Sequence, residues 1–211
     1  MNRAVIFVVR LLKRLRRPSK AANLRRFAAR GEAAASLVVR EATAADIPAL
    51  AALHVRTFRE THGGGPTAAL RASQYQQKFQ GDAEWFCVVA VRADGALVGF
   101  AAGEPGEPPE AGDGHVDKIY VRRDYQRLGL GRRLLEQIAR RFARDGRTAM
   151  TLFSQADNPS IAFFDAMGGE RMLDPAGRFG GGYRWRDIGD LAAGRDIGTA
   201  SRLNEDRSGQ G

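Results

Sequence analysis

One run, Gln126-Arg127-Leu128-Gly129-Leu130-Gly131, combines residue types and spacing that suggest chemistry. It sets a row of backbone N–H groups at the mouth of a helix that would begin near Leu130. The first N–H groups of a helix have no intrahelical partner, and the helix dipole adds partial positive charge there, so the spot suits a phosphate. Glycine at 129 and 131 frees the backbone for unusual dihedrals and lets a ligand approach closely. Two glycines alone are a weak signal. A strand ahead of them, His115 to Arg122, and an amphipathic helix behind them make the signal specific.

The elements around that run follow from pattern. Leu37 to Arg40 reads as a short strand. Thr43 can cap a helix with Asp46 at the capping-box position, and Ile47, Leu50, Leu53 and Phe58 form its apolar stripe. His54 on this helix reads as a satisfied, half-buried residue. Gly63 to Pro66 breaks the helix, and 67–80 looks helical again. The stretches 84–92 and 96–101 flank Ala93-Asp94-Gly95, a hairpin signal. Leu130, Leu134, Leu135, Ile138 and Phe142 mark a helix over 130–144, and 148–153 is a strand-like run. A helix joins the strands 115–122 and 148–153, so they should be parallel with a right-handed crossover. Asn158 as N-cap and Pro159 at the first helical position open a further helix through Ile161, Phe164 and Met167. Strands are expected at 170–173 and 183–188. These patterns divide the chain into a basic arm over 1–35, flexible or amphipathic, a folded domain over 36–189, and a disordered tail over 190–211.

Composition narrows the function classes. Residues 1–31 carry ten Lys or Arg and no Asp or Glu, whereas the other 180 residues carry 23 basic and 24 acidic side chains. The formal charge of +9 therefore lies in the arm, and the body gives no reason to expect nucleic-acid binding. In the arm, Ile6, Phe7, Leu11, Leu12 and Leu15 alternate with Arg10, Lys13, Arg14, Arg16 and Arg17. That pattern suits a solvated tail, an amphipathic segment on an anionic membrane or polyanion, or a targeting presequence. The single cysteine, Cys87, lies in an apolar run and reads as a buried reduced thiol, which agrees with a cytoplasmic location. His54, His62 and His115 lack ligand spacing, so no metal is expected.

The stretch Ile119-Tyr120-Val121 through Gly131 resembles motif A of the GNAT acetyltransferases, Q/R-x-x-G-x-G/A. Asn158 with Phe163-Phe164 and Gly168-Gly169 is similar to the family's asparagine-containing helix, and the element order matches over roughly 37–188. The resemblance implies an α/β fold (α+β by some schemes). Its sheet is mixed and mostly antiparallel, with a splayed parallel central pair and flanking helices. It also implies transfer of an acetyl group from acetyl-coenzyme A to an amine, either a small molecule or a protein amine, by direct attack; a homodimer is compatible with it. The donor would contact Ile119, Tyr120, Val121, Gln126, Arg127, Leu128, Gly129, Leu130, Gly131, Arg132, Asn158 and Phe164, with its pantetheine between the two splayed strands. The Val121 N–H would be the oxyanion donor and Asp117 or His115 the base. Simple alternation places His115, Asp117, Ile119 and Val121 on one face and Val116, Lys118 and Tyr120 on the other, although a β-bulge would alter this. Phe164 stands where many relatives carry a tyrosine acid, which leaves Tyr125, Tyr183 or water for that task. It also keeps open a non-catalytic coenzyme A-binding sensor or partner-binding module of the same fold. Trp85, Tyr75, Phe179, Tyr183 and Trp185 are candidate walls for the acceptor, with core packing the competing reading.

Overall fold

A chain that alternates short apolar runs with amphipathic helices must bury both faces of a sheet. The computed structural model, which describes residues 19–29, 36–81, 84–107 and 112–195, does so with one sheet and helices on either side. In chain order the elements are α1 (Lys20–Ala29), β1 (Val38–Glu41), α2 (Ile47–His62), α3 (Ala68–Gln80), β2 (Phe86–Val91), β3 (Leu97–Pro105), β4 (Gly114–Val121), α4 (Leu130–Arg144), β5 (Met150–Phe153), α5 (Ile161–Ala166), β6 (Glu170–Leu173), β7 (Phe179–Trp185) and α6 (Gly189–Ala193). Short 3₁₀ turns at Ala44–Asp46 and Arg123–Tyr125 lead into α2 and the glycine loop.

The seven strands lie in the order β1-β2-β3-β4-β5-β7-β6. The pair β4–β5 is parallel and the other neighbours are antiparallel. Two cores result. On one face α4 buries Leu130, Leu134, Leu135, Ile138, Ala139 and Phe142 against Val88, Val98, Ala101, Val116 and Met150. Each large side chain so buried contributes roughly 1.5–3 kcal/mol. On the other face α2 and α3 cover Val89, Phe100 and Ala102 with Leu50, Leu53 and Tyr75. Close approach fixes one glycine: a Cβ at Gly114 would lie 2.5 Å from the Phe142 ring.

The start of α2 follows its capping residues. Asp46 accepts the Thr43 N–H at 2.8 Å and both terminal nitrogens of Arg40 at 2.7 and 2.8 Å. The Arg40 guanidinium, ahead of the Thr43 N–H, holds the Asp46 carboxyl down to about 2.

Three expectations change. The residues after 189 do not simply trail away, since Gly189–Ala193 forms α6 and Leu191 is buried beside Ile188. Arg140 Nε donates to the Ala192 carbonyl at 2.8 Å, and residues 196–211 lie outside the described residues. The strand expected at 183–188 begins earlier, at Phe179, inside the glycine-rich stretch. The helix expected to start at Pro159 starts at Ile161. Asn158 instead makes a turn before it, its Oδ1 accepting the Ser160 N–H at 2.8 Å and its carbonyl the Ile161 N–H at 3.2 Å. The arm's basic run, Arg3 to Arg17, lies outside the described residues, whereas α1 is described.

Candidate active site

The parallel pair separates soon after it forms. Gly114, His115 and Val116 pair with Met150, Thr151 and Leu152, and β4 then continues to Val121 with β3 as its sole partner. The direction of the freed groups follows from the antiparallel ladder. The Arg122 N–H donates to the Val98 carbonyl at 2.9 Å. In an antiparallel pair the bonded positions alternate, so Tyr120, opposite Phe100, also faces β3. Ile119 and Val121 therefore turn their N–H and C=O groups toward the gap. The Val121 carbonyl is met there by the Gln126 side chain, whose Nε2 donates to it at 3.0 Å.

A β-bulge corrects the expected faces of β4. Ala102 pairs with Lys118 but Gly103 pairs with Val116, which leaves Asp117 as the extra residue. Val116, Ile119 and Val121 consequently share the α4 face, and Tyr120 packs on the α2–α3 face. His115 and Asp117 do not share the face of Ile119 and Val121. His115 lies in the paired part of the strand, its Nδ1 3.3 Å from Thr151 Oγ1 and its ring 5.7 Å from that of Phe153. Asp117 pairs with the neighbouring Lys118.

At the far end of β4 the glycine loop carries two left-handed residues, Arg127 at φ 64° and Gly129 at φ 81°. The ladder of α4 begins with the Arg133 N–H donating to the Gly129 carbonyl at 3.1 Å, so the N–H groups of Leu130 and Gly131 precede it. Space beyond Gly129 is open, with nothing within 4 Å of where a Cβ would be. Arg127 is exposed beside it. An open row of N–H groups at a helix mouth, next to a gap in the sheet, fits a long ligand with a phosphate at one end.

The α2–α3 face beside this gap is aromatic. His54 is buried, its Nδ1 lies 2.8 Å from the Tyr75 hydroxyl, and its ring is 5.3 Å from those of Phe100 and Tyr120. Burial, then the Arg71 and Lys118 cations, lower its pKa to about 3, so the ring is neutral. Arg71 lies 5.8 Å from the centre of the Phe58 ring and donates to Gln74 at 2.8 Å, and its buried Nε has no partner. Sequence reading did not single out Arg71.

A model of the acetyltransferase (GNAT) family matches residues 47–168 of this chain. The chain belongs to the acetyltransferase (GNAT) family. It is an acetyltransferase. Its GNAT relatives include the uncharacterized N-acetyltransferase YuaI of Bacillus subtilis (strain 168), 31% identical over 166 residues, which are 74% of this chain and 96% of that protein. An acetyltransferase from Thermus thermophilus superposes with a TM-score of 0.57 at 26% identity, covering 71% of this chain and 96% of its own. The PaiA N-acetyltransferase from Thermoplasma acidophilum, in complex with coenzyme A, superposes with a TM-score of 0.55 at 16% identity over 71% of this chain and 98% of its own. The likeness agrees with the fold class expected from the sequence, which this chain shows as a mixed sheet with one parallel pair.

Several expected site residues of this GNAT chain lie elsewhere than the gap. Phe164 is inside the core, 3% exposed, against Phe163 and Tyr183. Its neighbour Phe163 lies over the loop instead, with ring carbons 3.2 Å from where a Gly131 Cβ would be. Tyr125 is buried under Phe27 and Arg122. Tyr183 is also buried; its hydroxyl donates to Asp165 at 2.8 Å, and burial, ahead of that carboxylate, pushes its pKa up to about 12. The suggested acceptor walls Tyr75, Trp85, Tyr183 and Trp185 are core residues, the Trp185 Nε1 donating to the Met167 carbonyl at 2.7 Å. Cys87 is buried, which raises its thiol pKa. Among the described residues no three His, Cys, Asp or Glu side chains group as a metal site, and no helix is long and apolar enough to cross a membrane.

Proposed function

We propose that this chain transfers the acetyl group of acetyl-coenzyme A to an amine, with the pyrophosphate seated on the N–H groups of 127–132 and the acetyl carbonyl held in the gap beside β4. The observation that carries the reading is the N–H direction set by the ladder: Ile119 and Val121 both donate into the gap, where a developing oxyanion needs a fixed donor. Attack by the amine nitrogen forms the C–N bond, and collapse of the oxyanion expels the thiolate. A thiol of pKa about 8.5 leaves without a dedicated acid, which suits a site where Phe164, Tyr125 and Tyr183 are all buried.

The amine's proton must pass to a group within reach of the gap. At about 3.3 Å per residue, Asp117 is two residues from Ile119 and four from Val121, whereas His115 is six from Val121. Asp117 is thus the nearer receiver, reached through water, and Lys118 holds its carboxylate in place. Release of free thiol from acetyl-coenzyme A across a panel of small amines and N-terminal peptides tests the reaction. Asp117→Asn should lower kcat/KM about 100-fold near neutral pH, with the loss shrinking as rising pH deprotonates the amine itself, and His115→Gln should cost less. No amine-dependent thiol release from any acceptor would sink the enzyme reading in favour of a coenzyme A sensor.

We propose further that the chain acts in the cytoplasm and that its basic arm lies on an anionic surface through Ile6, Phe7, Leu11, Leu12 and Leu15. Co-sedimentation with anionic vesicles should fall several-fold when residues 1–18 are removed; equal co-sedimentation of both chains would remove the idea.

A further inference from the structure

Ahead of the family-matched region, α1 supplies two buried side chains, Asn23 at 0% and Phe27 at 3% exposure. Both land on the turn that leads into the glycine loop. Phe27 meets Tyr125 edge-on, with ring centres 5.6 Å apart and planes at 86°. Asn23 spends both protons of its amide: Nδ2 donates to the Arg123 carbonyl at 2.9 Å and to the Gln126 carbonyl at 2.8 Å. Two carbonyl neighbours leave only the amide nitrogen as the group that can face them. Glu60 also grips this turn, its carboxylate accepting the Arg123 N–H at 3.1 Å.

The Gln126 carbonyl belongs to the peptide unit that continues into Arg127. A trans peptide is planar, and its C=O and N–H point in opposite directions. Fixing that carbonyl toward α1 therefore fixes the Arg127 N–H away from α1, at the head of the donor row. Arg127 is also the one non-glycine among the described residues with positive φ, 64°. A side chain disfavours that conformation, so the surroundings must hold it. The donating amide polarises the peptide it clamps and strengthens the N–H on its far end as a donor.

We propose that Asn23 is a positioning residue of the donor site, clamping the 126–127 peptide so that the N–H row stands ready for a pyrophosphate. This rests on the reading of 127–132 as the pyrophosphate seat. It makes α1, which lies outside the 47–168 family core, part of the site's machinery. Because clamp and ligand favour one backbone arrangement, each strengthens the other: coenzyme A should hold α1 down as firmly as α1 prepares the loop.

The test uses the full chain and coenzyme A. By calorimetry Asn23→Ala should weaken coenzyme A binding about tenfold, raising KM for acetyl-coenzyme A while kcat at saturation stays within about twofold. Asn23→Asp, which sets a carboxylate against two carbonyl oxygens, should weaken it at least as much. Leu24→Ala on the exposed side of the same helix, at 44% exposure, should bind as the wild type does. Saturating coenzyme A should also slow hydrogen exchange of the 20–29 amides in the unmutated chain about tenfold, a measurement that does not depend on any variant folding. Coenzyme A affinity within twofold of wild type in both Asn23 variants overturns the proposal, and so does exchange over 20–29 that coenzyme A leaves unchanged. A wild-type chain that binds no coenzyme A overturns the reading of the seat and this proposal with it.

Discussion

Replacing Gly129 with valine should reduce coenzyme A affinity at least about 100-fold and remove measurable acetyl transfer at ordinary donor concentrations. Gly129 sits at φ 81° immediately before α4, a left-handed conformation that a β-branched residue strongly resists. Its Cβ would meet nothing within 4 Å, so the penalty is in the backbone and not in a clash. The loop relieves it by rotating the peptides on either side, and those peptides carry the N–H groups that must converge on a phosphate. Each misdirected donor to a charged oxygen costs roughly 1.5–3 kcal/mol, and two such losses give the expected factor. The six buried side chains of α4 remain in place, so thermal unfolding should stay cooperative. A Gly129→Val chain that binds coenzyme A within tenfold of wild type would mean the phosphate sits elsewhere. Gly129→Asn, which tolerates a left-handed backbone better, should fall between the two.

The second large effect is on stability in acid. His54 is buried and neutral, with its pKa lowered to about 3 first by desolvation and then by Arg71 and Lys118. In the unfolded chain it titrates near 6.5. Between those values the unfolded state binds the extra proton, so the stability from keeping His54 neutral is present above about pH 6.5 and is lost as pH falls toward 3. At about pH 4.5 two pH units of that window have been crossed, a loss of roughly 3 kcal/mol relative to neutral pH. Asp46, held at about 2, loses its own contribution only below about pH 4, so the two effects separate. Denaturant unfolding of the wild type and of His54→Gln at pH 7.5 and 4.5 reads the difference directly. The glutamine can still bond Tyr75 but cannot titrate, so its stability should change less between the two conditions. Parallel losses in both chains would place the acid sensitivity elsewhere.

Much of the scaffold could be read from residue pattern because the decisive signals are local. The apolar spacing of Leu130, Leu134, Leu135, Ile138 and Phe142 fixes α4 over the span expected, and the Asp94-Gly95 turn marks the hairpin of β2 and β3. What escaped depends on partners distant in the chain. The bulge at Asp117 leaves no mark on the alternation of β4 itself. It appears only where Gly103, tight against Phe86 and Phe142, takes Val116 as its partner. The α1 contact hangs on Asn23 and Phe27 within a run whose dominant feature is charge, and α6 on Leu191 within a run of small and polar residues. Phe163 and Phe164 are adjacent and alike. Only the packing of α5 decides that Phe164 goes into the core and Phe163 over Gly131.

Three residue pairs are all that rivet β4 to β5, and the rest of their length faces across an open seam. The sheet is thus two panels, four strands on one side and three on the other, with α4 packed on the four-strand panel and one shared core linking it to Met150 and Leu152 of the other. A slender molecule threaded into the seam, with amides of its own, would serve as a short false strand for the main-chain groups of Ile119 and Val121 and close the ladder that the protein leaves unfinished. The donor would then be a temporary structural member of the enzyme as well as its fuel.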